Sequence, residues 1–100
     1  MLKNFRTYQL SLDFYRSCHA LQTKGAIRDQ LLRASLSICL NLAEGCAKQT
    51  VPERRKFYRI SYGSLKETQC ILEILSAEEQ LLAKADSLGG HLFRLMKALE

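Results

Sequence analysis

Residues 34–43 read ASLSICLNLA, ten consecutive residues without a charged side chain. Apolar residues continue on both sides at spacings of three and four, the period of an α-helix, and predict a helix from about Ala26 to Ala47. This helix is apolar around nearly its whole circumference. In a lone four-helix bundle every helix keeps a face toward solvent. The stretch therefore indicates that this helix has an additional neighbour outside its own bundle.

The segments on either side of this helix are helical in pattern as well. Two adjacent apolar stripes predict a first helix from about Phe5 to Leu21, and Gly25 is expected to end it in the left-handed conformation common at helix ends. The third helix begins at TVPE, residues 50–53, which has the pattern of a capping box with proline in the first turn. It is expected to run to about Leu75.

The fourth helix is expected to begin with a second capping box, SAEE at residues 76–79, and to continue to the C-terminus. Its apolar residues follow spacings of four and three without a slip: Leu81, Ala85, Leu88, Leu92, Leu95 and Leu99. This heptad pattern is typical of helices packed at about 20° in bundles. Gly89-Gly90 indicates close approach of a neighbouring backbone. The pattern as a whole predicts an all-α, antiparallel, up-down-up-down four-helix bundle, a single domain of residues 1–100.

The composition limits the location and the classes of partner. Lys and Arg number fifteen against ten Asp and Glu, so the net charge of +5 permits an anionic partner without requiring one. We find neither a secretory signal nor a run of about 20 apolar residues that would span a membrane, and expect a cytoplasmic protein. The cysteines lack C-x-x-C pairing and are expected to be buried, reduced thiols: Cys18, Cys39, Cys46 and Cys70.

No arrangement typical of an enzyme or a metal site is found in the sequence. Neither His19 nor His91 has the Glu-x-x-His partner that a di-iron bundle uses. The adjacent residues Cys18 and His19 point about 100° apart on a helix. The glycines form no phosphate-binding loop. We therefore expect no catalytic residues, no metal and no cofactor.

Two polar features lie inside the predicted helices. Ser37, Asn41 and Glu44 follow one side of the apolar helix at spacings of four and three. Buried polar groups need partners, so these residues either fix helix register or a subunit interface, or contact a ligand. The small pair Gly63-Ser64 in the third helix indicates a tight crossing of two helices.

Positive charge is concentrated where the second helix meets the third. Five basic residues, here called the basic cluster, are opposed locally only by Glu53: Lys48, Arg54, Arg55, Lys56 and Arg59. One interpretation is a solvated basic face. The other is an anionic partner, with the backbone of RNA or DNA first, because Lys and Arg contacts to phosphate need no dedicated fold.

The second and third helices resemble a known family in several short motifs. These are LRA at 32–34, Ser37-Ile38, NLAEG at 41–45, Phe57, Tyr58, GSL at 63–65 and Glu67, with Tyr8 matching an aromatic near the N-terminus. They are similar to the four-helix bundle proteins first noticed in intervening sequences of bacterial 23S ribosomal RNA genes. Many members carry proline at the position of Cys39 and a longer loop in place of residues 23–25.

The resemblance implies a bundle that assembles into a ring, with a homopentamer favoured. Accessory proteins of diversity-generating retroelements are similar in fold, and are basic pentameric barrels that bind nucleic acid and a reverse transcriptase. By this analogy of fold we expect a non-enzymatic homo-oligomer that binds RNA or DNA backbone through the basic cluster. The alternative is a protein-binding scaffold or accessory subunit for a nucleic-acid enzyme such as a reverse transcriptase, without direct nucleic-acid contact.

Overall fold

Helices account for most of residues 2–100, the part of the chain that the computed structural model describes. A short 3-10 helix, Leu2–Asn4, precedes four long helices: α1 (Arg6–Ala20), α2 (Gly25–Ala47), α3 (Val51–Ile74) and α4 (Glu79–Lys97). No β-strand occurs between residues 2 and 100. The prediction of an all-α protein with four long helices is confirmed.

The four long helices pack around one apolar core. α2 lies against α1 and α3, and α4 also lies against α1 and α3. The core takes side chains from all four helices, among them Phe14, Leu31, Leu65 and Leu88. In the predicted heptad of α4 the first four residues are buried, whereas Leu95 and Leu99 pack half-buried against the edge of the core. The resulting body measures 39 × 22 × 22 Å.

Pairwise contacts set the register between α2 and α3. Arg33 forms an ion pair with Glu67, and the hydroxyls of Ser37 and Ser64 share a hydrogen bond of 2.8 Å. Further along, Gly45 lies against Tyr58. These three pairs show that α2 and α3 run antiparallel.

Gly45 is the glycine that permits close packing in this fold. A Cβ atom at this position would lie 2.6 Å from Cε1 of the buried Tyr58 ring and 3.1 Å from Cβ of Phe57. The prediction of close backbone approach at Gly89-Gly90 is wrong, and in the predicted Gly63-Ser64 crossing it is Ser64, not Gly63, that contacts α2. A Cβ at Gly63 would meet nothing within 4 Å, Gly89 faces the Leu65 side chain rather than backbone, and Gly90 faces Arg94 of its own helix.

One of the two predicted capping boxes forms in its Thr50 half, while the Glu53 carboxylate bonds to the Thr50 hydroxyl rather than to the Thr50 backbone N–H. The hydroxyl of Thr50 accepts a hydrogen bond from the backbone N–H of Glu53 (3.3 Å) and donates to its carboxylate (2.8 Å). Ser76 does not cap α4, since the residue at that N-cap is Glu78. Ser76 instead has a φ of 53°. It ends α3 in a Schellman turn, in which Ala77 N–H donates to the Leu72 carbonyl (3.0 Å).

The loop between α1 and α2 differs in detail from the prediction. Gly25 has the expected left-handed φ of 72°, but it begins α2 rather than ending α1. The first helix ends earlier, at Ala20, and Leu21 follows in an extended conformation. The left-handed residue therefore redirects the chain into the second helix.

The four cysteines are free thiols in different environments. Cys18 and Cys39 are buried, Cys46 is half-buried and Cys70 is exposed. Burial raises the pKa of the Cys18 thiol to about 12 and also raises the pKa of Cys39. The prediction of burial is therefore right for two cysteines and wrong for Cys70, which lies on the outer face of α3. Within residues 2–100 no helix is both long and apolar enough to cross a membrane.

Candidate functional site

Contacts between distant segments bring four helix ends together at one end of the molecule. The Phe5 ring lies 6.1 Å from the Tyr58 ring, so the start of α1 is beside the start of α3. The guanidinium of Arg55 donates to the Leu99 carbonyl, which places the end of α4 there as well. With Gly45 against Tyr58, the end of α2 completes the group. We call residues 2–12, 37–62 and 89–100 the basic half.

Charge is distributed very unevenly between the two halves. The basic half holds nine of the fifteen Lys and Arg but only three of the ten Asp and Glu, Glu44, Glu53 and Glu100. The other half holds the remaining six Lys and Arg and the remaining seven Asp and Glu, so its net charge is close to zero. Four members of the basic half lie outside the basic cluster predicted from the sequence: Lys3, Arg6, Arg94 and Lys97. The net charge of the protein is thus carried by one end.

The members of the basic cluster have different surroundings. Lys48 and Lys56 lie over the half-buried ring of Phe57, with Nζ 5.2 and 5.9 Å from its centroid. Lys48 is also paired with Glu44 at 3.3 Å. Arg54 is half-buried, and its Nε donates to the Lys48 carbonyl at 2.8 Å. Arg54 therefore fixes the turn between α2 and α3, while Lys56 is exposed.

Arg55 and Arg59 lie on the side of α3 that faces α4. They line a cleft of about 300 Å³, here called the α3–α4 cleft. Its other lining residues are Tyr62, Gly63, Phe93, Met96, Lys97 and Glu100. Arg55 is half-buried and bound to Leu99, whereas Arg59 is exposed. The sequence search missed Phe93 and Lys97 because no local motif marks them; only the packing of α4 on α3 brings them to the arginines.

The polar residues predicted to act together in α2, Ser37, Asn41 and Glu44, do not all contact one another. Asn41 Nδ2 donates to the Ser37 carbonyl (2.9 Å) and hydroxyl (3.1 Å), and Ser37 in turn bonds to Ser64. Ser37, Asn41 and Ser64 thus form one half-buried network between α2 and α3, which supports the interpretation that they fix helix register. Glu44 is exposed and bonds to Lys48 instead.

The outer face of α2 leaves large apolar side chains uncovered. Leu40 is 59% exposed, and Leu36 is exposed one turn earlier. Ile60 of α3 is exposed as well. The next residue, Ser61, donates from Oγ to the Ile38 carbonyl of α2 (2.8 Å), so Ile60 lies at about the same height along the bundle as Leu40. We call these three residues the outer patch.

The remaining part of the described chain has a second cleft, but its one cation is already paired. A second cleft, of about 280 Å³, lies between the end of α1 and the start of α4. Its only cation, Lys84, is already bound to Asp13 (3.0 Å) and Ser17 (2.8 Å). Among residues 2–100, no group of three or more His, Cys, Asp or Glu side chains is arranged to hold a metal ion.

Comparison with known proteins gives one family match, which spans nearly the whole chain. The family model described as 23S rRNA-intervening sequence protein matches residues 3–100. A search of curated proteins found no match to the chain. The family match covers all four long helices, the basic half and the outer patch.

Proposed function

The chain belongs to the family of 23S rRNA-intervening sequence proteins, and we propose that it is a non-enzymatic homo-oligomer that binds RNA or DNA backbone. In this proposal four helices in up-down-up-down order assemble into a cytoplasmic ring, with a pentamer favoured. The basic cluster and its neighbours in the basic half contact phosphate. The separation of charge between the two halves is the observation that supports binding most strongly.

The electrostatic argument rests on how few acids oppose the cations of the basic half. Of its three acids, Glu44 is paired with Lys48 and Glu100 with Lys97. Lys56 and Arg59 are exposed, so they are free to meet a phosphate. Such contacts neutralise phosphates and release counterions, which gives affinity with little sequence preference.

The proposed assembly rests on the outer patch. Leu36, Leu40 and Ile60 present apolar surface that the four helices of one chain do not cover. A monomer of this length buries only about two-thirds of the surface that its unfolded chain exposes. A second copy packed on this face would remove the outer patch from water. Closing the copies into a ring repeats the basic half around it, so that the positive fields add.

The first experiment measures binding to labelled RNA and DNA across a salt series. Backbone recognition predicts that log affinity falls linearly with log salt, with a slope of about 0.7–0.9 per phosphate neutralised. The double variant Lys56→Glu/Arg59→Glu is expected to bind more weakly and with a smaller slope. The matched control, Arg16→Glu/Lys24→Glu, makes the same charge change in the other half and is expected to retain more of the binding. Absence of binding at low salt would contradict the proposal.

A scaffold function is the second candidate, and the same outer patch favours it. Three exposed apolar side chains could dock a protein partner, such as a nucleic-acid enzyme of the reverse transcriptase type, without any contact between this chain and nucleic acid. The double charge reversal separates the candidates. It is expected to weaken nucleic-acid binding under the first proposal and to leave partner binding intact under the second.

A further inference from the structure

The α3–α4 cleft places an exposed aromatic ring next to arginines. Phe93 is 50% exposed, although it lies on a helix whose other large apolar residues are buried or half-buried. The Nζ of Lys97 lies 5.9 Å from the centroid of the Phe93 ring. Across the cleft are Tyr62, Arg55 and Arg59 of α3. Aromatic and guanidinium planes are the surfaces on which proteins stack the unpaired bases of single strands.

Gly63 is one of the residues that line this cleft. Glycine is unfavourable inside a helix relative to alanine, and close packing does not account for it here, since a Cβ would meet nothing within 4 Å. Gly63 lines the cleft, so a longer side chain at this position would add atoms to the cleft lining. Its volume of about 300 Å³ is at the lower end of the range for small-molecule sites. The space suits one nucleotide unit rather than a larger ligand.

The charges of the cleft suit a phosphate beside the base. Its cations are Arg55, Arg59 and Lys97, and its one acid, Glu100, is bonded to Lys97 at 3.2 Å. The Nε of Arg55 is buried and has no hydrogen-bond partner within residues 2–100. A buried donor without a partner is unfavourable, and the guanidinium that carries it belongs to one of the three cations lining the cleft.

We infer that the α3–α4 cleft holds one unstacked base of single-stranded nucleic acid on Phe93, with a neighbouring phosphate at Arg55 and Arg59. This inference rests on the proposed nucleic-acid binding and adds a strand preference to it. In a duplex each base is already stacked and paired, so it cannot reach Phe93 without unpairing. The protein therefore binds single strands more tightly than duplex of the same length.

The test compares the affinity of the full chain for a labelled thymidine homopolymer oligonucleotide and for a duplex of equal length. Phe93→Leu keeps apolar contact and removes the ring. It is expected to weaken single-strand binding roughly tenfold to hundredfold, the range for loss of one stacked base, and to leave duplex binding within about twofold. Phe93→Trp is expected to restore the single-strand affinity. Gly63→Leu, which adds a side chain to the cleft lining without removing a charge, is expected to lower the single-strand affinity.

Tyr15→Leu is the matched control, since it removes a half-buried aromatic from the other half of the molecule. It is expected to change neither affinity, and circular dichroism verifies that each variant is folded. Equal losses for both probes, or unchanged single-strand affinity in Phe93→Leu, would overturn the cleft while leaving backbone binding in place. Binding of the unaltered protein to neither probe would overturn both proposals.

Discussion

Gly45 shows how a single residue controls the packing of two helices. Because Gly45 has no side chain, the Tyr58 ring can pack directly against its backbone. That ring is buried and also contacts Phe5 of the N-terminal segment. Tyr58 therefore couples α2, α3 and the start of α1. In the sequence Gly45 is the last residue of NLAEG, and no local pattern distinguishes it from Gly63, Gly89 or Gly90. The difference depends on which residue the neighbouring helix places opposite each glycine.

Gly45→Ala is expected to destabilise the fold. The new methyl group would overlap a ring that has little room to move, and overpacking of this kind costs about 1–3 kcal/mol. The free energy of unfolding in urea measures the change. Gly63→Ala is the control, because its methyl group meets nothing. It is expected to stabilise the helix by about 0.5–1 kcal/mol. Equal effects of the two substitutions would contradict the packing described for Gly45.

At the scale of the element, apolar periodicity identifies helices and leaves their ends less certain. The four long helices follow from spacings of three and four, because a helix must bury one face whatever its neighbours are. Helix ends depend on competing preferences. TVPE, residues 50–53, begins α3 as predicted, whereas the similar SAEE, residues 76–79, contains the residue that ends α3. The short connection to α4 requires a left-handed residue, and that requirement overrides the capping preference of Ser76.

Ser76→Gly is expected to stabilise the protein by about 0.5–1 kcal/mol. Glycine adopts a positive φ without the steric cost that a side chain incurs, although it gains more freedom in the unfolded chain. Thermal unfolding measures the change, with Ser76→Ala as the control. Alanine keeps the strain of the side chain and removes only the hydroxyl, so Ser76→Ala is expected to have little effect. A loss of about 1 kcal/mol in Ser76→Ala would instead indicate that the hydroxyl caps α4.

At the scale of the whole molecule, the sequence predicts the site only where its residues are neighbours along the chain. Lys48, Arg54 and Lys56 are visible as a local charge cluster. The position of Arg55 and Arg59 beside α4, away from Lys48 over the Phe57 ring, is not visible, because it depends on how α2 and α4 pack on α3. Phe93 and Lys97 join the site from more than thirty residues away. No pattern within α4 marks them, since a half-exposed aromatic and a lysine are ordinary on a helix surface.

Leu40→Glu is expected to shift the protein toward the monomer. Leu40 is exposed in the single chain, so the change leaves the core intact, but in the proposed assembly it buries an unpaired charge between copies. Sedimentation velocity measures the mass. Ile74→Glu is the control, because Ile74 is 66% exposed on α3 in the other half and lies outside the outer patch. A wild-type monomer at all concentrations would contradict the assembly, and an unchanged mass for Leu40→Glu would move the interface elsewhere.

The concentration of positive charge at one end of a 39 Å body gives each chain an electric dipole along its long axis. A polyanion at a distance therefore turns the molecule as well as attracting it. The first encounter is then end-on, with the starts of α1 and α3 leading, before any atom is in contact. This orientation reduces the rotational search that limits most associations of proteins, and it weakens as salt shortens the reach of the field.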